Sequence, residues 1–275
     1  VNPNVSSNHP QVAFDRADRL YLGFQNSENE DIPPGVILWH EPAANPDGPR
    51  ISSGGVVNAA SYMAPVAPGS LVTAFGTNFL KGDPVAAPAT PFPAVLGGVS
   101  VAVNGRAAPL VYVTATQINF QLPYDTAPGT ATVAATVNGI TSNTAQVTVA
   151  PAAPGIFIYG ANLGVIQNQD FSLNSPDRPA SAGTFVTIYA TGGGQVDYDV
   201  PAGTAAPAMP LSRVLQPVNV TIGNLPATVV FSGLAPGFAG LMQVNARVPA
   251  MPAGSYPVRI SVGDATSNTP MIAVE

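Results

Sequence analysis

Cysteine is absent from all 275 residues of the chain. Disulfide bonds and thiolate metal sites are therefore excluded, although this absence does not by itself fix the compartment. Charge is also scarce, since Asp, Glu, Lys and Arg make up 9% of the residues, against roughly 25% in a typical globular protein. Lys81 is the only lysine, and acidic residues outnumber basic ones by 15 to 9. Nucleic acid and anionic membrane surfaces, which both attract clustered basic residues, are therefore not expected partners.

Side chains suited to catalysis are few. Histidine occurs twice, both times within the first 40 residues, and no Gly-x-Ser-x-Gly turn for a nucleophilic serine is present. Carboxylate pairs for glycoside hydrolysis could form from Asp197 with Asp199 or from Asp170 with Asp177. We expect solvated loops at these positions. The sequence therefore predicts a protein that is not an enzyme and has no catalytic or cofactor-binding residues.

Metal and sugar binding rest on few residues. The acidic run 26–31 lacks the EF-hand spacing, so no metal site is predicted and calcium is kept only as an alternative. Aromatic residues could also form a sugar platform, but at strand positions core packing is the default. The aromatic residues expected in the cores are Tyr112, Phe120, Phe231 and Tyr256. Those expected to be exposed are Trp39, Tyr124 and Phe238.

What the chain does contain favours short strands and tight turns. There are 27 glycines and 30 prolines, while 46% of the residues are hydrophobic. Asn104-Gly105 and Asn138-Gly139 are strong hairpin signals, because both residue types accept a positive φ. Gly192-Gly193-Gly194 lacks the Lys-Ser/Thr ending of a phosphate loop, so a turn or bulge is predicted there. No run of 18 apolar residues occurs, so no membrane span is expected.

An internal repeat is the most informative feature of the sequence. Four segments recur in the same order: 67–73 as 181–187, 99–103 as 218–222, 117–123 as 243–249, and the Thr-Ser-Asn of 141–143 as 266–268. Each repeat contains about seven short strands with turn signals between them, which is typical of a β-sandwich. Val99, Val101 and Val103 alternate with smaller residues, as in a half-buried strand.

These observations predict an all-β protein of two tandem immunoglobulin-like β-sandwich domains preceded by an N-terminal β-strand arm. The expected boundaries are 1–55 for the arm, 56–150 for the first sandwich and 151–275 for the second. The segment 52–55, Ser-Ser-Gly-Gly, is interpreted as a flexible spacer. The joint at 150–155 is short and proline-rich, so it should be stiff.

The segment 68–79, Pro-Gly-Ser-Leu-Val-Thr-Ala-Phe-Gly-Thr-Asn-Phe, resembles the opening strand of IPT/TIG-type immunoglobulin-like domains. The stretch from Val56 onward more specifically resembles an uncharacterised C-terminal domain family of large secreted acidobacterial proteins. The matching signatures lie at 96–99, 117–123, 153–157, 167–170 and 234–237. The resemblance covers about four-fifths of the chain and implies an exported, immunoglobulin-like protein without an established activity. If the protein is exported, we expect Val1 to be a processed or trimmed end.

The first 55 residues hold strand-like segments without a domain of their own. We interpret them as an arm that adds strands to the sheet edge of a neighbouring copy, as in donor-strand complementation, although the arm could instead fold back on the first sandwich. The predicted assembly residues are Val12, Phe14, Leu20, Leu22, Phe24, Val36, Leu38 and Trp39. A head-to-tail contact of this kind that does not close gives a filament.

The function predicted from the sequence is a non-enzymatic structural or adhesive protein, secreted by or displayed on a bacterium and self-assembling through the arm. The expected partner is therefore another copy of the chain. The alternative is a carbohydrate- or matrix-binding module of a larger secreted protein, whose partners would be surface glycans. Exposed aromatic residues at one end of a sandwich would favour that alternative.

Overall fold

The computed structural model describes residues 48–275 in full and, before them, the backbone of three short strands. Every regular element in the described residues is a strand, so the predicted all-β fold is confirmed. Among the same residues, no helix has the length and apolar character needed to cross a membrane. The chain divides into two compact units, Val1–Gly48 and Pro49–Glu275.

The N-terminal unit contains a small antiparallel sheet in the order β1-β2-β3. Its strands are β1 Gln11–Phe14, β2 Leu20–Gly23 and β3 Trp39–His40. The side chains predicted to mediate assembly, which are Val12, Phe14, Leu20, Leu22, Phe24, Val36, Leu38 and Trp39, lie outside the residues whose side chains are described. The assembly interface therefore stays a prediction.

The first sandwich is built from two sheets that enclose one core. Its strands are β4 Arg50–Asn58, β5 Leu71–Thr77, β6 Val85–Ala86, β7 Val95–Leu96, β8 Val99–Val103, β9 Arg106–Ala108, β10 Leu110–Val113, β11 Gln117–Gln121, β12 Gly129–Val137, β13 Ile140–Thr141 and β14 Ala145–Val149. One sheet has the order β4-β5-β11-β10-β6, and the other is centred on the pair β8 and β12. Val99, Val101 and Val103 are buried while Ser100 and Ala102 are only half-buried, which confirms the predicted alternation.

The segment 52–55 lies inside strand β4 and is not a spacer between domains. Ile51 pairs with Gly76 and Val56 pairs with Ala74, so five steps along β4 face two steps along β5. The extra residues form a bulge, which bends an edge strand and interrupts its ladder. The predicted domain limits 1–55, 56–150 and 151–275 stay a prediction, to which the structure adds that β4 begins at Arg50.

The second sandwich repeats this plan with a longer connection, 192–217, after its first long strand. Its strands are β15 Gly155–Ile156, β16 Ile158–Tyr159, β17 Leu163–Gly164, β18 Ile166–Gln167, β19 Phe185–Thr191, β20 Val218–Ile222, β21 Leu225–Leu234, β22 Met242–Arg247, β23 Gly254–Val262, β24 Ala265–Thr266 and β25 Met271–Val274. The strand order is β15-β19-β22-β21-β20-β23-β25-β17-β16, with β18 beside β19 and β24 beside β23. The core of this sandwich is a cluster separate from the core of the first.

The repeated Thr-Ser-Asn segment closes each sandwich in the same way. The Oδ1 atom of Asn143 accepts the N–H of Ile51 at 2.9 Å, and its Nδ2 donates to the carbonyl of Ile51 at 3.0 Å. Asn268 makes the same two bonds to Ile156, at 2.8 and 3.0 Å. A side-chain amide thus makes the hydrogen bonds that a neighbouring strand would otherwise make to the first strand of each sandwich. This shared role explains why the Thr-Ser-Asn segment occurs in both repeats.

We expect Asn268→Ala to lower the free energy of unfolding by about 2 kcal/mol, because it leaves the N–H and carbonyl of the fully buried Ile156 without partners. Urea denaturation followed by circular dichroism measures the change. Asn219→Ala, at an exposed position on β20, serves as the control. Equal losses of unfolding free energy in the two variants would contradict the role assigned to the Asn268 side chain.

Candidate functional site

Buried polar side chains join the two sandwiches. Asn58 donates to the carbonyl of Ala153 at 2.8 Å, and the N–H of Leu71 donates to Thr191 Oγ1 at 2.9 Å. Gln121 accepts the N–H of Gly203 at 2.6 Å. Asn58, Gln121 and Thr191 are each at most 1% exposed. Buried polar groups whose hydrogen bonds are satisfied favour one relative orientation, because any other would leave them unpaired.

Three consecutive glycines bring the second sandwich against the linker. A Cβ atom on Gly192 would overlap the carbonyl oxygen of Ala153, and one on Gly194 would overlap that of Pro151. Both glycines have positive φ, 88° and 77°. The sequence predicted a turn or bulge here but not this close approach, although a run of glycines directly after a buried strand was a usable signal.

Tyr124 lies in the junction, so the prediction that it is exposed is wrong. The residue as a whole is half-buried, but its hydroxyl is out of contact with solvent and has no hydrogen-bond partner among the described residues. Its ring packs on Gly69 and beside the small cluster that includes Val196 and Leu234. Burial, and then the negative charge of Asp199, raises the pKa of Tyr124 to about 12.

A groove of about 190 Å³ lies on the outer face of the second sandwich. Phe171 and Phe185 stand at its rims with 80% and 41% of their surface exposed, and Val230 is exposed at 54%. Thr187 and Asn245 are a directly opposed pair on β19 and β22. The remaining lining residues are the amides Gln167, Asn168 and Gln169. Among the described residues, none of the side chains that line the groove is charged.

The loop that carries Phe171 is held by hydrogen bonds even though it is exposed. Phe171 has φ 67°, in the left-handed region that residues other than glycine seldom adopt. Its N–H donates to the carbonyl of Asn168 at 3.0 Å, and its carbonyl accepts Gln167 Nε2 at 3.1 Å. The hydroxyl and N–H of Ser172 both donate to Asp170 and lower the pKa of that carboxyl. The backbone of Phe171 is therefore held by hydrogen bonds while its ring projects into solvent.

A row of paired residues extends from the groove across the sheet. Gln167 pairs with Thr187, Thr187 with Asn245, and Asn245 with Phe231. This row crosses four strands and is roughly 14 Å wide. The guanidinium of Arg213 lies 5.2 Å from the ring centroid of Phe231, which closes the far end of the row. The outer face thus offers amides and aromatic rings side by side.

One part of the chain matches a known domain family. Residues 56–149 match the IPT/TIG domain. This confirms the immunoglobulin-like character predicted for the repeats, while the resemblance to the acidobacterial family stays a prediction. No curated protein is similar enough to the chain to count as a match.

The solved structures that are similar to this chain have low sequence identity to it. SGBP-B of the Bacteroides ovatus mixed-linkage glucan utilization locus, in complex with a heptasaccharide, is 14% identical with a TM-score of 0.34 and is matched over 94% of this chain and 52% of its own. SGBP-B of a Bacteroides uniformis xyloglucan locus is 16% identical with a TM-score of 0.26, over 82% and 49%. The Escherichia coli adhesin FdeC is 13% identical with a TM-score of 0.25, over 98% and 87%. The chain thus spans about half the length of the two SGBP-B proteins, and similarity at these TM-scores identifies no function.

The other residues singled out in the sequence have different surroundings. Phe120 is fully buried in the core of the first sandwich, and Phe238 is 56% exposed, both as predicted. Tyr112, Phe231 and Tyr256 were expected in the cores but are only half-buried. Asp197 and Asp199 are exposed in a loop, also as predicted, and Asp197 accepts the N–H of Arg213 at 2.7 Å. The acidic run 26–31 lies outside the described residues, and within residues 48–275 no cluster of three His, Asp or Glu side chains could hold a metal ion.

A larger cleft, of about 620 Å³, lies beside the linker between the sandwiches. It is lined mainly by alanine and proline of the linker, together with Met63 and the turn around Asp264. Among the described residues, no aromatic side chain lines it, and Asp264 is its one charged residue. Its polar lining also includes Ser267 and Asn268, but these two side chains are already hydrogen-bonded within the second sandwich.

Proposed function

We propose that this chain is a non-enzymatic structural and adhesive module of an extracellular bacterial surface protein. The observation that supports this most directly is the junction, in which Asn58, Gln121 and Thr191 are buried and hydrogen-bonded across the two sandwiches. A spacer that holds a binding surface away from a cell must keep its domains in a fixed orientation. The short proline-rich linker adds to that stiffness.

For assembly, we propose that the N-terminal unit donates or accepts a strand between copies. The order β1-β2-β3 leaves β1 and β3 as the edge strands of that sheet, and exposed sheet edges are templates for further pairing. The edges of the first sandwich are less suitable. β4 is interrupted by its bulge, and β6 at the opposite edge has two residues.

We expect the intact chain to form polymers that a chain starting at Pro49 does not form. Electron microscopy and light scattering on both proteins measure this. The truncation point is Pro49 because removal of residues 1–55 would also delete the Arg50 and Ile51 end of β4. Monomers from both proteins would overturn self-assembly and leave the adhesive role to the described sandwiches.

A further inference from the structure

We propose that the groove between Phe171 and Phe185 on the second sandwich binds a neutral polysaccharide. This deepens the adhesive part of the proposed function, because it names a ligand class and a site, and it does not depend on assembly of the chain. Four properties of the groove carry the proposal: its lack of charge, its oriented amides, its exposed rings and its concave shape.

The absence of charge in the groove favours a neutral ligand. All of the described side chains that line it are uncharged. The charged residues next to the rims are engaged locally, since Asp170 accepts two hydrogen bonds from Ser172 and Arg247 Nε donates to the carbonyl of Gly183 at 2.8 Å. A polyanion or polycation would find no counter-charge aimed into the groove, whereas a neutral chain of hydroxyl groups needs none.

Two amide side chains of the groove are oriented by a hydrogen bond to their oxygen atom, which leaves their nitrogen atom for a ligand. Gln169 Oε1 accepts the N–H of Phe185 at 3.1 Å, and Asn245 Oδ1 accepts Gln243 Nε2 at 3.0 Å. Within the described part of the chain, the Nε2 of Gln169, the Nδ2 of Asn245 and the hydroxyl of Thr187 make no hydrogen bond. They are preorganised groups for sugar hydroxyls, because their orientation is fixed before a ligand binds.

The exposed rings supply the apolar half of the site. The C–H faces of a sugar ring pack on aromatic faces, and Phe171 is kept 80% exposed by a backbone conformation that a phenylalanine rarely adopts. The volume of about 190 Å³ is below the roughly 300–1,000 Å³ of a pocket that encloses a whole ligand. The groove is therefore suited to one ring of a longer chain.

The alternative ligand for the groove is another sandwich domain. The internal repeat raises this alternative, because the equivalent positions of the first sandwich contact a sandwich. Phe185 and Arg247 hold the positions that Leu71 and Gln121 hold in the first sandwich, where those two residues contact the second sandwich. The side chain of Leu71 packs closely on Gly240 of the second sandwich. In the second sandwich the hydrogen-bonded loop of Phe171 forms a rim beside the sheet, and the resulting concave shape favours a thin chain over the flat end of a domain.

The test is affinity electrophoresis of the full chain in gels that contain a soluble neutral polysaccharide, namely a mixed-linkage glucan, a galactomannan or amylopectin, with polygalacturonate as the anionic comparison. We expect at least one neutral polymer to retard the protein and polygalacturonate to have no effect. Phe171→Ala and Phe185→Ala should each weaken binding by about tenfold or more, as at a central contact residue. Phe238→Ala is the matched control, because its ring is exposed outside the groove.

Three results would overturn the proposal: no retardation by any neutral polymer, equal retardation by polygalacturonate, or equal binding by Phe171→Ala and Phe238→Ala. A fourth is concentration-dependent association of the chain that Phe171→Ala abolishes, which would assign the groove to a second copy. Urea denaturation of each variant checks that the fold is kept. The junction and its stiffness are unaffected by any of these results, so failure here is distinct from failure of the structural role.

Discussion

Replacing Gly192 by alanine opens the junction while both sandwiches stay folded. The new methyl group would overlap the carbonyl of Ala153, and the residue has φ 88°, which alanine rarely adopts. The linker must then move, and the junction bonds of Asn58 and Leu71 are lost with it. We expect a loss of about 3 kcal/mol or more, together with a second transition in urea denaturation as the sandwiches unfold separately.

The matched control is Gly237→Ala. Gly237 has a similar φ of 84°, but a Cβ atom there would meet nothing within 4 Å, so this variant carries the backbone strain without the collision. Hydrogen exchange reports on the junction, since the amides of Leu71 and Gly203 donate across it. Both amides should exchange faster in Gly192→Ala and at the native rate in Gly237→Ala. Equal behaviour of the two variants would mean that the junction does not depend on the close approach.

We expect the titration of Tyr124 to lower the free energy of unfolding by about 2 kcal/mol between pH 10 and pH 12. Its pKa in the folded chain is about 12 against 10.0 for an ordinary tyrosine, so the folded state holds the phenol proton more tightly than the unfolded state does. The contribution is fully present below pH 10 and is lost as the pH rises through the folded pKa. Denaturation midpoints measured at intervals from pH 9 to pH 12 follow this loss.

We expect Tyr124→Phe to abolish the part of the stability loss above pH 10 that is caused by Tyr124. It should also leave the stability at pH 7 unchanged or higher by about 1 kcal/mol, because it deletes a buried hydroxyl without a partner. Tyr198→Phe is the control, since Tyr198 is 46% exposed. A marked loss of stability at pH 7 in Tyr124→Phe would show instead that the hydroxyl is hydrogen-bonded, for which the adjacent cavity of about 10 Å³ is the place for a water molecule.

Local patterns in the sequence predicted the local structure well. The Asn-Gly pairs at 104–105 and 138–139 form turns with positive φ at both residues, because few other residues accept that conformation. The valine alternation of β8 predicted its buried face for a similar reason, since a strand places every second residue on one side. The ordered matches of the repeat predicted the two sandwiches.

Features that depend on distant contacts could not be predicted in this way. Tyr124 looked like an exposed residue after a Pro, and its burial comes from contacts with Gly69 and with the 192–217 connection that folds against it. The groove combines Phe171 from a loop with Phe185 and Val230 from two strands, and no spacing rule links these positions. The segment 52–55 has the composition of a spacer, but the pairing of Ile51 and Val56 with β5 on either side of it makes it a bulge within β4.

The side-chain amides of Asn143 and Asn268 also bear on the response of the two sandwiches to tension along the backbone. Ile51 lies near the start of the first sandwich and Ile156 follows the linker, so tension reaches each of these residues early in its sandwich. Both hydrogen-bonding groups of each isoleucine are held by a single amide side chain. Under such tension we expect the same pair of hydrogen bonds to resist the peeling of the first strand in both sandwiches.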